Sequence, residues 1–353
     1  MAKRISIRDI ARAVGLHHTT VGLALRDSPR LKKATREKIR AVAAELGYRP
    51  DPMLSALISY RNSKRTAAFH AVIAWINNWP DRNALLVNST YRNYFEGASA
   101  RADDLGYMLQ EFWLHENGMT PAKMRRIFQA RNITGLLIAP QPVSQGSIGL
   151  DFQDFSAVAF GYSMHPHMLH LVTNHHTQTM DLVIAKLVEL GYRRPGYCIL
   201  PSTDAGGNYI WISRLMHIYS RYPELSQIPR MVSKEGAAFA KWIKKYQPDV
   251  LIGFNNFLPE VEKLGYQVPA DIGFVSMAVD PKNPRISGAN ENDFLIGKTA
   301  LDVLVGMIHR GERGAPEVPI RTLIDSTWFP GETLRPRLAA GTGSIKSQAR
   351  QAR

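Results

Sequence analysis

Residues 15–26 read Gly-Leu-His-His-Thr-Thr-Val-Gly-Leu-Ala-Leu-Arg. A glycine turn comes first, then two histidines and two threonines, then an apolar stripe. The spacing predicts a short helix opened by His17 or His18, with Val21, Ala24 and Leu25 on its inner face. Upstream, Ser6-x-x-Asp9 is a variant capping box, and Ile7, Ile10, Ala11 and Val14 recur at helical spacing until Gly15 breaks the run. Downstream, Asp27-Ser28-Pro29 ends the second helix. A third helix carries Ile39, Val42, Ala43 and Leu46 on one side, with Gly47 in position to terminate it. Three short helices, the first two joined by a tight glycine turn, make a helix-turn-helix.

In such a unit the first residues of the second helix enter the major groove of DNA. His18, Thr19 and Thr20 are then polar because they face base edges and phosphates, while Val21, Ala24 and Leu25 face the other helices. His17 takes the cap position and His18 the base-contacting one. Zinc is disfavoured here: adjacent helical residues point about 100° apart, and no cysteine or acidic partner is near.

Charge supports a phosphate-binding end. The chain has 353 residues and a formal net charge of +14. Residues 1–65 hold 15 Lys/Arg against five acids, and residues 335–353 hold five Lys/Arg and no acid. The remaining body is close to neutral. Local positive charge on a folded end is the electrostatic footprint of a nucleic-acid binder. The second basic stretch, 335–353, reads as a disordered tail without leucine heptads. Cys198 is the single cysteine, so no disulfide can form within the chain. No signal-peptide run and no 18-residue apolar stretch occurs. These features together predict a cytoplasmic, nucleoid-associated protein with no membrane partner.

After the third helix comes Tyr48-Arg49-Pro50-Asp51-Pro52-Met53-Leu54-Ser55-Ala56-Leu57-Ile58. Asp51 suits an N-cap and Pro52 the first helical position. About two turns of helix follow, apolar on most sides and marginal alone in water. They need a partner: another chain, the minor groove as a wedge, or the body of the protein.

Ile7-Arg8-Asp9-Ile10-Ala11, Gly15-Leu16, Thr20-Val21, Thr35-Arg36-Glu37-Lys38-Ile39 and Leu46-Gly47-Tyr48-Arg49-Pro50 resemble the headpiece of the lactose-repressor (LacI-type) family, without a gap from about residue 5 to 58. The resemblance implies a hinge helix that orders on operator DNA, with Leu57 as the wedging leucine. It places base readers at His18, Thr19 and Leu23, and adds Ile7, His17, Thr20, Arg26, Met53 and Leu54 to the DNA-facing set. The sequence departs from the family pattern at His17, Gly22, Leu23 and Leu54, so the operator sequence does not transfer.

From residue 66 to 334, strand-length apolar runs alternate with helical stretches. Strands are predicted at 71–76, 108–114, 135–139, 157–160, 196–200, 250–254 and 273–277. Helices are predicted at 94–105, near 121–130, at 180–190, near 209–220, at 237–246 and at 294–308. Repeated βα units imply parallel sheets flanked by helices. Roughly 270 residues exceed one compact core, so two lobes are expected, with a ligand cleft beyond the carboxyl ends of the strands. The expected organisation is a headpiece over 1–49, a hinge over 50–65, a two-lobed effector-binding and dimerisation core over 66–334, and the tail.

The family resemblance extends, more weakly, through Phe95-Glu96-Gly97, Leu105-Gly106-Tyr107, Gly135-Leu136-Leu137, Leu190-Gly191-Tyr192-Arg193-Arg194, Pro248-Asp249-Val250 and Val268-Pro269-Ala270-Asp271-Ile272. It implies a sugar-binding-protein-like core whose chain crosses several times between lobes, with Arg214 and Asn255 on the effector. Departures occur at His175-His176, at Ala278 with Asp280 two residues on, and in a helix after Asn255-Asn256 shortened and interrupted by Pro259. Trp75, Trp79, Tyr91, Tyr94, Phe160, Tyr209, Trp211 and Trp328 fall near the expected cleft. The candidate effector set is Trp75, Asn77, Tyr94, Phe160, Trp211, Arg214, Asn255 and Asp280, and aromatic faces beside polar groups suit a carbohydrate.

His165, His167, His170, His175 and His176 fit no standard zinc spacing and read as a solvated inter-lobe loop. No phosphate loop, nucleophile elbow or Ser/His/Asp set is present, so neither an enzyme nor a cofactor is indicated. The reading is a dimeric, ligand-controlled transcription regulator, with a repressor role, on palindromic double-stranded DNA. Its alternatives are an architectural DNA binder with a degenerate cleft and a stand-alone small-molecule binding protein.

Overall fold

The computed structural model describes residues 5–25, 31–46, 48, 71–143 and 146–337. Arg26, the hinge at 50–65 with Met53, Leu54 and Leu57, and the tail beyond residue 337 lie outside the described residues.

The headpiece holds three helices: α1 (Ile7–Val14), α2 (His18–Leu25) and α3 (Lys33–Glu45). The capping box forms at α1: Ser6 Oγ accepts from Asp9 N, and Asp9 Oδ2 accepts from Ser6 N at 2.9 Å. Gly15 ends α1 at φ +70°, a left-handed turn that glycine adopts without strain. Ile10, Ala11, Val21, Ala24, Ile39 and Ala43 form the headpiece core, with Leu25 packed against it. Leu46, expected on the inner face of α3, is exposed.

The rest of the chain makes two α/β lobes. The first is a six-stranded, all-parallel sheet in the order β10-β5-β4-β3-β1-β2. Its strands are β1 (Ala71–Asn77), β2 (Tyr107–Trp113), β3 (Gly135–Ile138), β4 (Ser156–Phe160), β5 (His170–Asn174) and β10 (Arg321–Ile324). Side chains alternate across a strand, and β1 shows the result. Ile73 and Trp75 join the layer under α5 (Ser89–Asp104) and α12 (Asp293–Arg310), while Ala74 and Ile76 face α6 (Pro121–Ala130). The short helix α4 (Ala84–Val87) precedes α5. Helices α5 and α12 touch backbone to backbone. A Cβ added at Gly97 would lie 2.0 Å from Phe294 O, and one at Gly297 would lie 2.1 Å from Tyr94 O.

The second lobe is a five-stranded sheet in the order β11-β9-β8-β7-β6, with β11 antiparallel to its neighbour. Its strands are β6 (Pro195–Cys198), β7 (Val250–Gly253), β8 (Gly273–Ser276), β9 (Gly288–Asn290) and β11 (Thr327–Phe329). α7 (His176–Glu189) and α9 (Ile210–Arg221) cover one face, and α10 (Gly236–Tyr246) and α11 (Leu258–Lys263) the other. The small helix α8 (Pro201–Gly206) follows β6.

The chain passes between lobes three times, at residues 174–176, 290–293 and 324–327. Hydrogen bonds tie these passages together. Asn174 Nδ2 donates to Glu291 Oε1, Asn292 Nδ2 donates to Asp325 O at 2.8 Å, and His175 Nδ1 bonds Asp325 Oδ1 at 2.7 Å.

Two expectations need correction. Pro259 does not interrupt its helix: it sits in the first turn of α11, where a missing N–H costs nothing. The histidines do not share one solvated loop. His170 begins β5 and accepts from Ile320 N, and His175 and His176 form the first passage between lobes. Among the described residues no group of three His, Cys, Asp or Glu side chains is placed to hold a metal ion. None of the described helices is long and apolar enough to cross a membrane.

Candidate functional site

Two surfaces collect the candidate residues. The first is the leading edge of α2. His17 Nδ1 accepts from Thr19 N at 3.4 Å, and His17 O accepts from Thr20 N at 2.9 Å, so His17 closes the open end of the helix. The His17 and His18 rings lie 4.0 Å apart. His17, His18 and Thr19 are exposed, Thr20 and Leu23 half-buried, and Val21 and Ala24 fully buried. Ile7 is half-buried against the headpiece core rather than free. The polar edge is held outward by an apolar face that has nowhere else to go.

The second surface is a cleft of about 520 Å³ between the lobes. It lies beyond the carboxyl ends of the strands: Gln141 follows β3, Tyr162 follows β4, Asn256 follows β7, Ala278 follows β8 and Glu291 follows β9. Helix α5 contributes Tyr91 and Tyr94, and α9 contributes Trp211.

The expected site residues separate by position. Tyr94 and Trp211 line the cleft. Phe160 sits one layer behind, stacked on Tyr94 with ring centroids 5.1 Å apart. Trp75 lies deeper still, 5.2 Å from Phe160 and 1% exposed, so it serves the lobe core. Asn77 is buried as a structural clasp: Nδ2 donates to Arg82 O and Glu111 Oε1, and Oδ1 accepts from Trp79 N. Arg214 turns away from the cleft, with its guanidinium paired to Asp181 and Nε to Oδ1 at 2.7 Å. One turn earlier on the same helix, Trp211 takes the inward direction. Asn255 has a buried, unpartnered Oδ1 but stands outside the lining, which its neighbour Asn256 joins. Asp280 caps a turn by accepting from Lys282 N, also outside the lining.

Gln141, Tyr162, Ser163, Asn174 and Glu291 complete the wall, and none was marked by the sequence pattern. Gln141 is fixed from both sides: its Nε2 donates to Ala139 O and its Oε1 accepts from Asn78 Nδ2, each at 2.8 Å. The His176 ring meets Trp211 edge-on at 4.6 Å, and its buried Nδ1 has no partner. Burial lowers the His176 pKa to about 4, so the ring is neutral at pH 7. Burial raises Glu291 well above the usual carboxylate range, with Asp293 adding to the effect. Burial also lifts Asp293 to about 6.

Residues 6–51 match the family described as bacterial regulatory proteins, lacI family. Over 47 residues the chain is 43% identical to the "Probable HTH-type transcriptional repressor ExuR" of Bacillus subtilis (strain 168), covering 13% of this chain and 14% of that protein. The curated relatives are matched over only 14–55% of their own length. Among solved structures, the Lac repressor dimer bound to operator and the anti-inducer ONPF is 19% identical, covering 94% of this chain and 99% of that chain, with a TM-score of 0.52. The transcriptional regulator CelR in its cellobiose complex is 16% identical, covering 94% and 100%, with a TM-score of 0.53. Headpiece and crossed lobes thus define a helix-turn-helix chain with a periplasmic-binding-protein-like core. The likeness to the lacI family of bacterial regulatory proteins lies in the headpiece, over residues 6–51, and the body shares the fold of these solved regulators.

Proposed function

We propose that the chain is a sequence-specific transcription regulator, acting as a repressor: a homodimer on a palindromic operator, controlled by a carbohydrate in the inter-lobe cleft. The observation that carries this reading is the exposed polar edge of α2, held outward by its buried apolar face at the basic end of the chain. His18, Thr19 and Leu23 read bases, Ile7, His17, Thr20 and Arg26 belong to the same DNA-facing set, and Met53, Leu54 and Leu57 belong to the hinge that enters the minor groove. Paired half-sites require two-fold symmetry, hence the dimer. It works on the nucleoid in the cytoplasm.

The cleft supports the second half of the reading. Tyr91, Tyr94 and Trp211 offer ring faces, and Gln141, Ser163, Asn174 and Glu291 offer hydrogen-bonding groups. The CelR structure, of similar fold, holds cellobiose. A ligand that favours one relative setting of the lobes alters hinge spacing and with it DNA affinity.

The test is to incubate the full-length protein with fragmented genomic DNA at physiological salt and sequence what remains bound. Enrichment of a few palindromes is expected. A featureless population that dissociates as salt rises would reduce the headpiece to charge-driven binding.

A further inference from the structure

The walls of the cleft carry an unusual charge balance. Among the described residues, its lining includes no lysine and no arginine, and Glu291 is its single carboxyl group. Arg214, the cation expected there, is committed to Asp181 on another face of α9. His176 is the remaining basic group in the wall, and burial keeps it neutral. The start of α7 supplies about half a positive charge through its backbone, and Glu291 is bonded to Asn174, two residues ahead of that helix.

We propose that the cleft acts as a charge filter: it accepts an uncharged polyhydroxy ligand and rejects the phosphorylated and carboxylated counterparts. This rests on the carbohydrate reading above and narrows it. An anion entering the cleft leaves its hydration shell and meets no cationic side chain, only the partial charge at the start of α7. Leaving a charge buried and unpaired costs enough to weaken binding at least about 100-fold. An uncharged sugar pays no such penalty. Its hydroxyls meet the neutral donors and acceptors of Gln141, Ser163 and Asn174, and its C–H face meets Trp211. Nor is the filter a cage for cations, because burial and Asp293 hold the Glu291 carboxyl towards its neutral form.

Calorimetric titration of the full-length protein tests this. The probes are a panel of neutral mono- and disaccharides including glucose and cellobiose, together with glucose 6-phosphate, glucuronate and glucosamine. At least one neutral sugar is expected to bind, with both anionic probes weaker by about 100-fold or more. Ser202 is exposed at the cleft wall. Ser202→Arg is therefore expected to fold normally and to improve the affinity for glucose 6-phosphate relative to that for the neutral sugars at least tenfold. An anionic probe or the amine binding the wild type as tightly as the neutral sugars overturns the filter while leaving the carbohydrate reading intact. If no probe of any charge binds, the carbohydrate reading itself fails, and the filter falls with it.

Discussion

Gly297→Ala adds a single carbon where two helices already meet. The new Cβ would lie 2.1 Å from Tyr94 O and 2.8 Å from Ala98 N, both backbone atoms of α5. Real Cβ contacts essentially never fall below 3.0 Å, so α12 must back away from α5. A backbone cannot swing aside as a side chain can, and the retreat spreads along Leu301 and Leu304, which share one core with Ala98 and Tyr94. Overpacking of this kind costs about 1–3 kcal/mol, and its upper end applies here. Replacing a mid-helix glycine by alanine returns about 1 kcal/mol, leaving a net loss of about 2. For a core of this size that lowers Tm by roughly 4–8 °C. Scanning calorimetry of the full-length protein reads it, with Gly236→Ala as control. Gly236 opens α10, and a Cβ there meets nothing within 4 Å, so its Tm should hold or rise slightly. A Gly297→Ala protein melting within 1 °C of wild type would refute the backbone contact.

Other expectations follow from the sites. Burial raises Asp293 from 3.8 to about 6 and pushes Glu291 up as well, with Asp280, Tyr91 and Tyr94 as the titratable neighbours. At these two groups the folded state therefore keeps protons the unfolded chain has released, so their contribution to stability is lost as pH rises from about 4 through 6. His176, held neutral in the fold, acts in the opposite sense over the same window, so the variant carries the test: Asp293→Asn should make the slope of Tm against pH between pH 5 and pH 7.5 more positive than in the wild type, and an unchanged slope would remove the pair as a contributor. Trp211→Ala should abolish the response to ligand, whereas Arg214→Ala should keep ligand affinity within about threefold and lower Tm by a few degrees, since its partner is Asp181. The reverse pattern in fluorescence titrations would put the arginine on the ligand after all. His18→Ala should relax preference at one base position of each half-site, costing about 1–3 kcal/mol of discrimination against a panel of operator variants; an unaltered preference would strike it from the readers.

The sequence was most legible where one physical pattern acted alone. The βα alternation is plain at Val250–Gly253 and Gly273–Ser276 because strands buried on both faces read as short apolar runs. It is faint at β5, whose run is framed by His170 and Asn174, and at β10, where Arg321 and Leu323 are exposed on a sheet edge. β9 is only Gly-Ala-Asn, and nothing in three residues announces a strand. In the site, Tyr94 and Trp211 stood out as aromatics on helices. Trp75 stood out equally, and only the sheet's alternation sends it into the core instead. Glu291 carries no motif. It reaches the cleft because the chain changes lobes there, and such passages depend on contacts between residues more than a hundred positions apart, as Asn174 with Glu291.

The three passages between lobes also bear on how the protein is made. β10, the edge strand of the first lobe's sheet, ends at Ile324, while β1 of that sheet begins at Ala71. Helix α12, which seals the same lobe, arrives only after β6 to β9 of the second lobe have been synthesised. A nascent chain leaving the ribosome therefore cannot finish its first lobe before most of its second exists. No single cut divides the core into two complete halves, and a premature stop anywhere before residue 324 leaves both lobes unfinished.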